Sequence, residues 1–537
     1  QLQPTYYVEL KTKDMRNIHF KPLLFSLALT AGLACVEQTQ AQEISFRKSM
    51  DGEATAIGAN TCQSVPVVAD FDNNGYMDLY APGQSWELRT LTDSQGQDSI
   101  GWGWYDDIKL CLNNGDGTWE VKNRDDNTGL PFGYVGIGNK AFDFNQDGYV
   151  DFLFPSTNTG WTWQAPTALM LVINNGDGTF TRKEDAALAT INPGIDSNTK
   201  KWNQNIMTNI LSIADFNKDG YPDLLVQFEN QSPWERSVWL FKNVAGDHFE
   251  RVTDAFIPDV EAGGKTGTPF IPQCAGGISF GDFNNDGWPD IVAFGWGDEH
   301  KNVNGVPNDT LKGGGQLNFY RNKKDGTFKI ATRDIDPAID KAAKKWLNNG
   351  GSYGEEVNLF VIDYDQDGKQ DILLFGETGT QAESGQMVKS DKDALMLKNV
   401  STNDKFAFEE VHINLYPCSA SSTNMGELAD FNGDGWVDFI ARGWNGDWHT
   451  AICASAGSYN EYYLQEDDDN TNAIYLQGSF MAHGDLNNDG MLDLFTMANN
   501  DSLAYTVNTT DPEDEDGLQI PGAPESLKAE YKADTKQ

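Results

Sequence analysis

Short apolar runs recur along the chain, bounded by Gly, Asn and Asp; Leu224-Leu-Val-Gln-Phe228 and Ile372-Leu-Leu-Phe-Gly376 are typical. Runs of this kind between turn formers predict strands. Between them falls a second pattern. It reads Leu112-Asn-Asn-Gly-Asp-Gly-Thr-Trp119, Ile173-Asn-Asn-Gly-Asp-Gly-Thr-Phe180 and Arg321-Asn-Lys-Lys-Asp-Gly-Thr-Phe328, with looser copies at Lys242–Phe249 and Lys398–Phe406. An apolar run before it and alternating residues after it predict a tight β-hairpin. One segment departs from this texture. Pro22–Cys35 is continuously apolar, but a spanning helix needs about 20 residues and this run has only about 14. Met15, Arg16 and Lys21 precede it, and Thr39-Gln40-Ala41 offers a small-x-Ala cleavage site before Gln42. Residues 15–41 therefore read as a secretory signal, with 1–14 upstream of the plausible start. A short buried helix and lipid attachment at Cys35 are the alternative readings, although Gly32-Leu33-Ala34 matches a lipobox poorly.

The hydrophobic pattern is punctuated by one nine-residue frame that appears seven times, first as Asp70-Phe-Asp-Asn-Asn-Gly-Tyr-Met-Asp78. Successive copies start 73, 72, 67, 81, 67 and 55 residues apart, so the chain is an array of seven units. Position one is Asp70, Asp143, Asp215, Asp282, Asp363, Asp430 and Asp485. Position three is Asp72, Asn145, Asn217, Asn284, Asp365, Asn432 and Asn487, and position five is Asn74, Asp147, Asp219, Asp286, Asp367, Asp434 and Asp489. Position nine is Asp78, Asp151, Asp223, Asp290, Asp371, Asp438 and Asp493; position six is always Gly. Oxygens at one, three and five converge when the chain turns sharply, and Gly at six permits that turn. The carbonyls at position seven (Tyr76, Tyr149, Tyr221, Trp288, Lys369, Trp436, Met491) and the carboxylates at nine complete an all-oxygen shell. Hard oxygen donors in a flexible loop suit Ca²⁺, one ion per loop. An EF-hand also needs a bidentate Glu at position twelve. Here that position is Ala81, Phe154, Val226, Ala293, Leu374, Ala441 and Thr496, which excludes it. The fifth loop, with four carboxylates, is expected to bind tightest. The apolar residue at position two (Phe71, Phe144, Phe216, Phe283, Tyr364, Phe431, Leu486) reads as core, and the apolar residue after position nine opens the next strand. Each unit thus holds four strands: one enters the cation loop, the second leaves it, and the third and fourth form the hairpin.

Charge sharpens the reading. Lys and Arg number 39 against 80 Asp and Glu, a formal −41. That excludes nucleic acid as a general partner and argues against docking on an anionic membrane. With 39% hydrophobic and 12% aromatic residues the chain can still bury a large core. The five cysteines beyond the signal (Cys62, Cys111, Cys274, Cys418, Cys453) form no CxxC or Cys/His cluster, so zinc is not expected, and most read as small buried hydrophobes.

The seven loops and the Asn-Asn-Gly-Asp-Gly-Thr-Phe hairpins resemble those of FG-GAP/VCBS repeat proteins, similar to the β-propeller of integrin α subunits. The resemblance covers about residues 44–510. It implies an all-β, seven-bladed propeller over 42–510, with four-stranded blades and a Ca²⁺ in the loop between strands one and two of each. The ends fit closure. No hairpin follows the seventh loop, where strand two (Leu494–Met497) and strand three (Ser502–Val507) give way to an acidic linker at 511–520. Ile44–Lys48 resembles the missing strand and is expected to supply the outer strand of the last blade. Residues 521–537 read as the start of a fibronectin type III domain or a disordered tail.

On such a propeller the strand two–three loops and the blade connections lie opposite the cation loops, and they are rich in Trp. Trp86, Trp102 and Trp104 fall in the first such loop, and Trp161 and Trp163 in the second. Trp296, Trp444 and Trp448 follow later second strands, and Trp202 and Trp346 lie in connections. Aromatic faces among Asn, Gln and Asp suit sugar rings or a protein interface. The leading expectation is a secreted or surface recognition module for a glycan or extracellular protein. A polysaccharide-active enzyme or its accessory domain, and a structural spacer, are the alternatives. The six His join no Ser or Cys in a nucleophile motif, so no catalytic residue is assigned.

Overall fold

In the computed structural model the described residues are 46–48, 66–92, 98–130, 140–155, 169–189, 211–231, 234–257, 277–296, 315–331, 357–376, 379–381, 387–389, 394–402, 406–411, 426–442, 448–454, 458–464, 478–498 and 503–508. The segment read as a secretory signal with Cys35, the expected linker and tail, and Trp161, Trp163, Trp202, Trp346 and Trp444 lie outside them. The chain divides into Gln1–Thr39 and Gln40–Gln537, and all the described structure belongs to the second unit.

Among the described residues seven antiparallel sheets repeat one plan. The first comprises Val67–Ala69, Asp78–Thr92, Asp98–Asn113 and Trp119–Lys122. The second runs Lys140–Phe142, Asp151–Pro155, Leu169–Asn174 and Phe180–Lys183. In each sheet strand one pairs with two across the cation loop, and two pairs with three. The fourth sheet gains a fifth strand, Phe256–Ile257, which joins Phe328–Ile330 in parallel. A two-stranded ribbon, Gly379–Gln381 with Met387–Lys389, rises from the strand two–three connection of the fifth. The seventh sheet takes its outer strand from the other end of the described chain: Phe46–Lys48 pairs with Thr506–Asn508. That is the strand expected from the unmatched ends.

The core lies between neighbouring sheets. Phe71, Tyr80 and Leu110 of the first sheet pack with Phe152, Phe154 and Phe180 of the second. Equivalent clusters join the second to the third, the third to the fourth and the fourth to the fifth. Leu486, Phe495 and Val507 of the seventh pack with Leu79, Ala81 and Cys111 of the first. All seven position-two residues are buried. Cys111 is a buried free thiol, and burial pushes its pKa up to about 12.

The first sheet departs from the expected outline. Trp86, Trp102 and Trp104 do not sit in a loop. Strands two and three continue past the sheet as a long ribbon, Asp78–Thr92 against Asp98–Asn113, with Trp86 opposite Trp104 and Leu88 opposite Trp102. Trp296 is likewise the last residue of its second strand and Trp448 the first of its third.

Candidate metal centres

Each nine-residue frame forms the same cradle. The Gly at position six takes a left-handed φ, between 83° and 96° in the seven loops, where a side chain would be strained. Its N–H donates to Oδ2 of the position-one Asp at 2.6–3.0 Å in every loop. The N–H of position seven donates to the side-chain oxygen of position five at 2.8–3.1 Å, again in all seven. These bonds hold the side chains of positions one and five inward over the turn.

The position-nine Asp is the keystone, fully buried in all seven sheets. In six loops its Oδ2 accepts the N–H of position two. In six its Oδ1 accepts the backbone N–H of an Asn at the end of strand three. Two N–H bonds leave lone pairs on both oxygens free for an ion. The two exceptions are informative. Asp290 Oδ2 and Asp438 Oδ1 are buried without any partner, as are Oδ1 of Asp363, Asp365 and Asp430. Buried oxygens left without a proton donor are what a cation would satisfy.

Electrostatics agree. Burial, reinforced by the neighbouring carboxylates, pushes the position-nine carboxyls far above their usual range. Asp151 reaches about 6, Asp78, Asp223 and Asp371 about 7, and Asp290 and Asp438 about 8. Burial likewise raises the position-one Asp in every loop. Oxygens of Asp70, Asp72 and Asp78 converge within 4.8 Å of one another, as do those of Asp363, Asp365 and Asp371. These are the two loops with Asp at position three; elsewhere Asn145, Asn217, Asn284, Asn432 and Asn487 supply a neutral oxygen there. The donor set fits a hard dication and offers no sulfur or imidazole.

Two features of the site lie beyond the sequence reading. The first is that strand-three Asn. Asn113, Asn174, Asn243, Asn322, Asn399 and Asn508 each donate from Nδ2 to the position-two carbonyl of the neighbouring loop at 2.6–2.9 Å. Asn113 reaches Leu486 of the seventh loop, so the series runs from the last sheet back to the first. The same Nδ2 also bonds the position-eight carbonyl of its own loop. The second feature is position four, which is also left-handed in all seven loops. Asn73 donates to Gly148 O at 2.8 Å and Gln366 to Gly435 O at 2.6 Å, and Gln146 bonds Gly220 O. Lys218 instead sets its ammonium 5.1 Å from the Trp288 ring centre. Each links one loop to the next.

Of the Trp residues expected to bind a ligand, Trp86, Trp102 and Trp104 lie on the first ribbon and Trp296 and Trp448 at strand ends. Of the His residues, His483 is buried with Nδ1 2.8 Å from Glu427, and His248 is half-buried beside Asp247.

Among solved structures, a lectin from Agrocybe aegerita, described for specific recognition of non-reducing terminal N-acetylglucosamine, aligns at 16% identity and TM-score 0.44, over 76% of this chain and 87% of its own. A Bacillus licheniformis rhamnogalacturonan lyase aligns at 12% identity and TM-score 0.36, over 87% and 74%. The six-bladed β-propeller lectin of Aleuria aurantia aligns at 8% and 0.33, over 75% and 95%. These superpositions are loose. A search of curated proteins found no match. The family model for the FG-GAP-like repeat matches residues 143–226 and 215–293. Each match starts at the first Asp of a nine-residue frame and runs into the second strand of the following sheet. With the same cradle recurring in all seven sheets, the chain carries FG-GAP-like repeats, matched over residues 143–293.

Proposed function

We propose that the chain is a secreted, calcium-binding, seven-bladed β-propeller that recognises a glycan or an extracellular protein. The calcium reading is carried by the loop cradle: carboxylates fully buried at position nine, turned inward at position one, with oxygens lacking any proton donor. Each loop would hold one ion through positions one, three, five and nine and the carbonyl of seven. The ion would neutralise carboxylates whose ionised form burial disfavours. Closure into seven blades is supported by the Phe46–Lys48 pairing, by the Asn113 bond to Leu486, and by the apolar cluster shared between the seventh and first sheets.

Recognition is assigned to the face opposite the loops. The observation that favours it is the first ribbon, whose strands of 15 and 16 residues run far past their sheet and bring Trp86 opposite Trp104. Secretion fits the signal-like segment at 15–41. Among the described residues no helix is long and apolar enough to cross a membrane. Binding of the calcium-loaded protein to a glycan array, repeated with Trp86→Ala and Trp104→Ala, tests the reading. Selective binding that the Trp variants lose is expected. Silence on the array and against surface-protein extracts, or binding indifferent to both substitutions, would refute it.

A further inference from the structure

The residue just before the strand-three Asn divides the loops into two kinds. It is Leu112, Ile173 and Val507 in the first, second and seventh units and Ile452, before Cys453, in the sixth, but Lys242, Arg321 and Lys398 in the third, fourth and fifth. The structure puts ammonium groups from this stretch onto the loop carboxylates. Lys242 Nζ lies 3.1 Å from Asp219. Lys398 contacts Asp365 and lies 3.7 Å from Asp367. In the fourth unit Arg321 stacks its guanidinium 4.7 Å from the Phe406 ring, and Lys324, two residues beyond the Asn, takes the place on the loop at 3.1 Å from Asp286. The fourth and fifth of these loops also keep buried oxygens with no proton donor, on Asp290, Asp363 and Asp365, and the third repeats the cradle with Asp223 fully buried.

We propose that Lys242, Lys324 and Lys398 are built-in counter-cations that set the third to fifth loops apart as a low-affinity calcium class. This rests on the calcium reading above. Calcium entering these loops must displace an ammonium from an aspartate at position three or five and then tolerate it nearby. A unit charge about 6 Å from a dication in a water-like medium weakens binding about tenfold. The fifth loop, with the most carboxylates, is then not the tightest, because the fourth carboxylate is matched by Lys398. Without calcium the ammonium screens the carboxylates, so this contiguous third of the molecule depends least on the ion.

The test is equilibrium dialysis of the full chain, stripped with EDTA, against Ca²⁺, alongside a triple variant Lys242→Met, Lys324→Met, Lys398→Met. The wild type should show about four ions of higher affinity and about three some tenfold weaker. The triple variant should merge them into one class. Single Met variants, each moving one equivalent, give the same answer if the triple variant fails to fold. Seven equivalent ions in the wild type, or a variant curve that overlays the wild type's, overturns this assignment while leaving the calcium reading standing. No calcium bound at all overturns both.

Discussion

The strand-three Asn invites the most direct perturbation. Asn174 is buried, donates to Phe71 O of the first loop at 2.7 Å and to Val150 O at 3.2 Å, and accepts the N–H of Gly176 at 2.9 Å. Asn174→Ala removes all three bonds and leaves the backbone bond to Asp151 in place. At about 1 kcal/mol for each net hydrogen bond, with the stranded carbonyls buried, the cost is about 3 kcal/mol. Asn174→Asp should cost more, because it turns an acceptor towards two carbonyls beside a buried carboxylate. The neighbouring Asn175→Ala is the control. Its Nδ2 reaches only the Thr179 hydroxyl at the surface, and its loss should stay within about 0.5 kcal/mol. Urea unfolding in saturating calcium, followed by fluorescence and circular dichroism, gives the free energies where the two transitions coincide. A cost below about 1 kcal/mol for Asn174→Ala, or an Asp variant no worse than Ala, would show that the bond does not bind the second sheet to the first loop.

Further outcomes follow from the same geometry. Because the position-nine carboxyls titrate at about 6 to 8 in the metal-free fold but near 4 when unfolded, the native state holds more protons across that window. The melting temperature in EDTA should therefore fall as pH rises from about 4 to about 8, while the gain on adding calcium should grow, since the ion requires ionised ligands; thermal melts at several pH values with and without EDTA check both signs. Gly220→Ala, at a φ of 96°, should destabilise the third loop by about 1–2 kcal/mol and weaken one calcium equivalent in dialysis. In the sixth sheet the strand register places Cys453 where the others have Asn, a residue with no amide to donate to two carbonyls as those Asn side chains do. Cys453→Asn should raise stability by about 1 kcal/mol, read as a shifted urea midpoint at unchanged slope.

The seven loops, the strands on either side of them and the Asn-Gly hairpins were legible because their signals are local: a fixed spacing of Asx and Gly, then an apolar run. The pairing of Phe46–Lys48 with the seventh sheet was legible too, since Ile44–Lys48 resembles the strand that follows the other hairpins. What escaped was long-range. The Asn before each hairpin turn is an ordinary turn residue in sequence, yet its amide spends both N–H groups on carbonyls, one of them 77 to 373 residues away. Position four admits Asn, Gln, Lys or Gly, so its left-handed φ has no single-residue signature. The Trp86–Trp104 segment read as loop because its Gly, Asp and Gln residues mask a β pattern that only pairing with the facing strand reveals. Counting carboxylates alone favoured the fifth loop, and Lys398 lies outside the frame that was counted.

The placement of acid also bears on where the protein can be stable. Seven fully buried carboxylates are an unusual load for any fold. The backbone N–H bonds they accept do not bring them back to their usual range, since burial still raises six of them to about 6 or above. Near neutral pH without calcium each must either hold a proton or bear an uncompensated charge, and both weaken the fold relative to the ion-filled state. With calcium at a hundred times its dissociation constant, mass action returns about 2.7 kcal/mol for each loop filled. Several such gains exceed a typical domain's whole margin of stability. On the calcium reading proposed above, a chain built this way is weak where calcium is scarce and firm where it is abundant. On the secreted reading, that ties its maturation to export, and refolding from urea should then succeed in millimolar calcium and stall in EDTA.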